Sequence, residues 1–127
     1  MAKSHKIMVV DDEFDIPHIV RRYLEKWGFS IDIFTNPLYA YQQFKKNPDA
    51  YSVIILDIQM PEMNGVELAA MMLKAKPDAK IIIMIAYEIT AAELMASLPK
   101  IKSDDILRKP FRLMQICNAV KKRMQTA

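Results

Sequence analysis

Ile54-Ile55-Leu56-Asp57-Ile58-Gln59-Met60-Pro61-Glu62-Met63-Asn64-Gly65 is the stretch whose reading decides the fold. The apolar residues Val53 through Leu56 run straight into a carboxylate, and a loop punctuated by Pro61 and Gly65 follows. A continuous β-branched run bounded by turn signals reads as a strand buried on both faces, as in a parallel sheet. Open α/β sheets place their chemistry at the C-terminal ends of such strands. An Asp at that place reacts, binds a cation or caps a loop.

The same strand-then-acid pattern stands at the start of the chain, where Lys6-Ile7-Met8-Val9-Val10 leads into Asp11-Asp12-Glu13. From Phe14 to Trp27, apolar residues at Ile16, Ile19, Val20, Tyr23, Leu24 and Trp27 fall on one helical face, and Gly28 closes the helix. Phe29 to Phe34 alternates as a half-buried edge strand does. Asn36-Pro37 caps and opens a helix to about Lys46, and Asn47-Pro48-Asp49 is a turn. After the Asp57 loop, Asn64 caps a helix carrying Val66, Ala69, Ala70, Met72 and Leu73, which stops before Pro77. Ala79 to Ile85 is a further buried strand, and Thr90-x-x-Glu93 is a capping box for a helix to about Leu98. Asp105 to Arg108 is a short last strand. Lys109-Pro110-Phe111 then turns into a helix burying Leu113, Ile116, Cys117, Val120 and Met124. Strict alternation of strands and helices implies a parallel sheet with right-handed crossovers and helices on both faces.

Length and composition agree with this. The 127 residues are expected to form one domain, and 52% are hydrophobic without any run approaching a membrane span. The N-terminus lacks the apolar core of a signal peptide and there is one cysteine, Cys117, so the expected home is the cytoplasm. Net charge is +3. The basic residues read as scattered apart from Lys121-Lys122-Arg123 and the 99–112 region. This suits a solvated surface better than a nucleic-acid footprint.

Parallel strands point their C-terminal ends at one edge, so Asp11, Asp12 and Asp57 converge there if the first and third strands are neighbours. Clustered carboxylates repel one another unless a cation neutralises them. All-oxygen ligands suit Mg²⁺ or Mn²⁺, and no His/Cys set for Zn²⁺ exists. Lys109, after the last strand, could bring a compact positive charge to the same edge. An acid cluster, a hard metal and a lysine are what a phosphoryl group transferred to a carboxylate needs. Each residue also has a plainer reading: Asp11 and Asp12 as helix caps, Asp57 as a loop cap, Lys109 as a solvated lysine. Cys117 reads as a packed thiol, and the methionines as core filling.

Three motifs carry a resemblance to the response-regulator receiver domain of two-component systems, over approximately residues 5 to 125. They are Val9-Val10-Asp11-Asp12-Glu13, Leu56 to Gly65, and Arg108-Lys109-Pro110-Phe111. The resemblance implies a doubly wound, flavodoxin-like (CheY-like) five-stranded parallel sheet of order 2-1-3-4-5 with five helices. It implies that Asp57 accepts a phosphoryl group from a sensor histidine kinase or phosphotransfer protein. Asp11, Asp12, Asp57 and the backbone carbonyl of Gln59 would hold Mg²⁺, and Lys109 would contact the phosphoryl group. The Lys109–Pro110 bond is expected to be cis. Residues 1–127 are expected to be a single receiver without an effector domain, a signalling protein rather than an enzyme. Its downstream protein target would use the 85–125 face or the 57–65 loop, with no direct nucleic acid or membrane contact.

Two positions depart from the family pattern. Where members usually carry Thr or Ser at the end of the fourth strand, this chain has Ile85; where they carry Tyr or Phe three residues before the lysine, it has Ile106. Without a hydroxyl to move and a ring to rotate, the usual switch has no moving parts. The expected consequence is output by another route, through loop 57–65 or Tyr87. The alternative is a phosphorylation-independent binding module retaining only a metal site. A haloacid-dehalogenase-type phosphatase fits worse, since Glu13 stands where Asp-x-Asp needs its second Asp. A flavin binder is disfavoured because Asp11-Asp12-Glu13 would repel a phosphate.

Overall fold

The computed structural model describes residues 6–13, 15–60, 63–86, 90–109 and 111–125. Pro61, Glu62, Tyr87 and the Lys109–Pro110 bond lie outside them, and so do the expectations that rest on these residues.

The β-branched run at Val53–Asp57 (β3) is buried at all five positions, as is Ile81–Ile85 (β4). These strands sit in the middle of a parallel sheet together with Lys6–Val10 (β1), while Ser30–Phe34 (β2) and Ile106–Arg108 (β5) form its edges. The strand order is β2-β1-β3-β4-β5. The first and third strands are therefore neighbours, with Val10 opposite Leu56.

Period-two alternation divides the core. Met8, Val10, Ile54, Leu56, Ile83 and Ile85 face one side, with Phe44, Leu68, Met72 and Leu94 packed on them. Those helical residues come from Pro37–Lys46 (α2), Gly65–Ala75 (α3) and Ala91–Ser97 (α4). Ile7, Val9, Val53, Ile55 and Met84 face the other side, against Val20, Leu24, Ile116, Cys117 and Val120. These belong to Asp15–Glu25 (α1) and Leu113–Gln125 (α5).

The end signals work as their chemistry requires. Asn36 Oδ1 accepts from the N–H groups of Leu38 and Tyr39, with Pro37 opening α2; Asn64 Oδ1 accepts from Val66, and Thr90 Oγ1 from Glu93. Beyond α1, Gly28 adopts φ +91°, while its N–H bonds the Glu25 carbonyl and the Phe29 N–H bonds that of Leu24. This is the paired-bond helix stop that glycine permits.

Several expectations need correction. Ile19 and Trp27 are about half exposed rather than on a buried face. Trp27 lies past the last regular turn of α1 and stacks under the Lys121 ammonium, 3.2 Å from the ring centroid. On α3, Ala69 and Met72 are buried as expected, Leu68 is buried with them, and Ala70 faces solvent. β4 begins at Ile81, not Ala79, and Asp105 sits in the 3₁₀ turn Ser103–Asp105 before β5. There it is 2% exposed and held by Arg123 Nε at 3.2 Å and the Lys102 N–H at 3.1 Å.

Many of the basic residues gather at one edge of the sheet, beyond the two groups seen in the sequence. Helices run antiparallel to the strands, so helix ends and helix-to-strand connections share the N-terminal edge of the sheet. Lys26 follows α1, Lys45 and Lys46 close α2, and Lys74 and Lys76 bracket the end of α3. Lys80, Lys100 and Lys102 precede β4 and β5, and Lys121, Lys122 and Arg123 close α5. Glu25, Asp49, Asp78, Asp104 and Asp105 share that edge, while Asp11, Asp12, Glu13, Asp57, Glu67 and Glu93 occupy the opposite one together with Arg108, Lys109 and Arg112.

Candidate functional site

Three strand ends are fixed against one another by backbone bonds that extend the sheet. The Asp11 N–H donates to the Phe34 carbonyl at 3.0 Å, the Ile58 N–H to that of Met84 at 3.0 Å, and the Lys109 N–H to that of Ile85 at 2.8 Å. Asp11, Asp57 and Lys109 are therefore set by the main chain. Gly65 holds the following loop tight: a Cβ there would lie 2.4 Å from the Asp57 carbonyl oxygen and 2.6 Å from Ile58 Cα. Only glycine lets the α3 N-terminus come so close behind β3.

Asp11, Asp12 and Asp57 converge, each offering one carboxylate oxygen within 4.8 Å of the others. Asp11 is fully buried, Asp57 is 3% exposed, and Asp12 opens to solvent. Asp11 Oδ1 accepts from the Glu13 N–H at 3.0 Å, while its buried Oδ2 has no hydrogen-bond partner. Asp57 Oδ1 accepts from the Gln59 N–H at 3.3 Å. Lys109 Nζ stands 3.4 Å from Asp57 Oδ2 and 3.7 Å from Asp11 Oδ2. Both separations exceed the roughly 2.7–2.9 Å of a tight charge-assisted bond. The lysine screens the two carboxylates without clamping either.

Burial pushes the Asp11 carboxyl up to about 6, and the neighbouring Asp57 carboxylate adds to the rise. The Glu13 N–H and the Lys109 ammonium pull the other way. A buried oxygen without a hydrogen-bond donor, on a carboxyl whose burial disfavours the anion, is an environment that a bound cation would relieve. The donor set is all oxygen, which suits a hard divalent ion.

A cleft of about 670 Å³ opens over these residues. Asp12, Glu13, Asp57, Gln59 and Lys109 form its polar side; Ile19, Val20, Ala86, Phe111 and Leu113 form an apolar wall. Sequence spacing singled out the polar side. It did not identify the wall, which comes from α1, the residue after β4 and the entry to α5.

Ile85 and Ile106 do not line the cleft. Ile85 is fully buried in the core facing α3 and α4, and Ile106 packs half-buried against that same core. Two residues beyond Ile106 in β5, Arg108 pairs in register with Ile85 and reaches the Ala86 carbonyl at 3.4 Å.

Residues 7–121 match the response regulator receiver domain. The chain belongs to that family. The response regulator receiver protein CpdR of Brucella abortus is 30% identical, over 96% of this chain and 98% of that protein. The transcriptional regulatory protein SrrA of Staphylococcus aureus is 32% identical over 93% of this chain, which spans only 47% of SrrA. The response regulator TrrA of Thermotoga maritima, solved in complex with Mg²⁺-BeF, is 33% identical with a TM-score of 0.80, covering 93% of this chain and 97% of that one. A CheY-like receiver from Methanospirillum hungatei, 23% identical with a TM-score of 0.81 and 94% and 92% coverage, shares the fold. Receiver domains are signalling modules of two-component systems that typically bind Mg²⁺ at an acidic pocket. Among the described residues no helix is long and apolar enough to cross a membrane.

Proposed function

We propose that this chain is a receiver that accepts a phosphoryl group on Asp57, with Mg²⁺ or Mn²⁺ held by Asp11, Asp12, Asp57 and the Gln59 backbone carbonyl. The unsatisfied Oδ2 of Asp11 beside Asp57 and Lys109 is the observation that carries the reading. A bound metal would offset charge on the transferring oxygens. A carboxylate oxygen of Asp57 forms the new P–O bond as the donor's bond to phosphorus breaks, the donor being a phosphohistidine or an acyl phosphate. Lys109 stays within reach of Asp57 and offsets the added negative charge. The donor protein is a sensor histidine kinase or phosphotransfer protein, and residues 1–127 act as one receiver unit on a downstream protein.

The switch is non-standard. Ile85 has no hydroxyl for a phosphoryl oxygen, and a lost bond to a charged group costs about 1.5–3 kcal/mol. With Ile106 aliphatic as well, the signal leaves by the 57–65 loop or its neighbours rather than through the 85–125 face. Amide NMR of the full chain with Mg²⁺ and beryllofluoride tests this. Shifts confined to the surroundings of Asp11, Asp57 and Lys109 are expected. A rearrangement through α4, β5 and α5 would contradict the route.

The aliphatic pair also supports a second reading, a binding module independent of phosphorylation. Metal binding without any response to beryllofluoride would favour it.

A further inference from the structure

A second cleft, of about 390 Å³, opens at the N-terminal edge of the sheet, away from the acid cluster. Its walls are the α3–β4 turn and the segment between α4 and β5. Buried Ala79 and Ile101 and half-buried Leu73 form an apolar floor, and exposed Pro77 and Pro99 line it together with Lys80, Lys100 and Lys102. Lys100 Nζ donates to the Pro77 carbonyl at 2.9 Å, tying the two walls together. Arg123 also lines the cleft, with its Nε engaged by Asp105.

Cations in the last turn of a helix offset the helix dipole in any protein, which accounts for Lys45, Lys46, Lys74, Lys122 and Arg123. Lys80, Lys100 and Lys102 lie outside the helices, and their charges add to this edge for another reason, Lys100 also bracing the walls through the Pro77 carbonyl. Asp78 is the one acid among the residues lining this cleft.

We propose that this cleft docks an acidic segment of a partner protein that carries an apolar anchor residue. The apolar floor receives the anchor and the lysines meet the flanking carboxylates. Among the described residues the lining has no aromatic ring on which a base could stack, so its composition does not favour nucleic acid. Ala79 and Ile101 are buried, and the exposed apolar residues, Pro77 and Pro99, are not the Trp, Phe or Leu side chains of a membrane anchor. The inference does not depend on the phosphoacceptor reading, because none of these residues touches Asp57.

The test uses the full chain and a fluorescein-labelled peptide of alternating glutamate and leucine, followed by fluorescence polarisation and amide NMR at low salt. Saturable binding is expected, with shifts confined to residues 73–80 and 98–105 and weakened by added salt. Lys80→Glu, Lys100→Glu and Lys102→Glu together should weaken it by about ten-fold or more. Should that variant fail to fold by circular dichroism, the three glutamine replacements take its place. Lys26→Glu, Lys45→Glu and Lys46→Glu carry the same charge change on the same edge and should leave binding nearly intact. The proposal is overturned by absence of binding or by equal loss in both variants. Tighter binding of duplex DNA or phosphatidylserine vesicles through the same lysines, or a cleft occupied by the acidic edge of a second copy, would also overturn it.

Discussion

Asp11→Asn tests the charge balance of the site most sharply. Asp11 is fully buried, and its carboxyl is pushed from an ordinary 3.8 up to about 6, first by desolvation and then by Asp57. A shift of that size corresponds to a ceiling of about 3 kcal/mol for holding the charge at neutral pH. Solvent in the open cleft lowers this to about 1–2 kcal/mol. Asparagine keeps an oxygen for the Glu13 N–H and removes the charge. The metal-free variant should therefore be more stable at pH 7 by about 1–2 kcal/mol, which raises Tm by about 3–10 °C. The pH dependence has a definite sign. Between 3.8 and about 6 the folded chain holds a proton that the unfolded chain has released, so Asp11 makes metal-free stability fall as pH rises through that window. Subtracting the variant's curve from the wild type's isolates this slope. Mg²⁺ binds the ionised form, so its affinity should rise with pH over the same window and be severely weakened in the variant. Urea unfolding in EDTA and in Mg²⁺, from pH 4 to pH 8, measures all of this. A variant no more stable than wild type in EDTA, with the same pH slope, would refute the reasoning.

Other outcomes follow from the same geometry. Ile85→Thr puts a hydroxyl at the end of β4 at a cost of about 1–3 kcal/mol, because the side chain it replaces is fully buried. If the missing hydroxyl is what weakens phosphoryl binding, beryllofluoride affinity in Mg²⁺ should nevertheless rise by about ten-fold, and an unchanged affinity would count against that account. Gly65→Ala forces a Cβ into the Asp57 carbonyl and should cost about 2–4 kcal/mol in urea unfolding, with slower phosphorylation; wild-type stability would show that the approach is not needed. Cys117 is 1% exposed and burial raises its thiol, so its reaction with a disulfide reagent should be slow and follow global unfolding. Fast labelling of the native chain would contradict that placement.

Much of this site was legible in the sequence because strand ends obey a simple geometry. A β-branched run ending in Asp57, a second ending in Asp11 and a short one ending before Lys109 must bring those residues to one edge once the strands are parallel. The caps at Asn36, Asn64 and Thr90 were legible for a similar reason, since one side-chain oxygen meets an N–H two or three residues on. Helical periodicity was less informative. It placed Ile19 and Trp27 on a buried face, but among the described residues of α1 the core takes Val20 and Leu24, with Tyr23 packed partly against it, and Ile19 lines the cleft. Trp27 follows the final turn, where the 100° step no longer applies. The gathering of lysines at one edge was invisible along the chain because it requires knowing that all the helices end on the same side.

The central claim is that Asp57 takes the phosphoryl group. Intact mass after incubation with acetyl phosphate and Mg²⁺, with Asp57→Asn alongside, measures it directly. The account predicts a single phosphoryl adduct on the wild type that EDTA suppresses and the variant lacks. No adduct on a chain that still binds Mg²⁺, or an adduct that persists in Asp57→Asn, would contradict it.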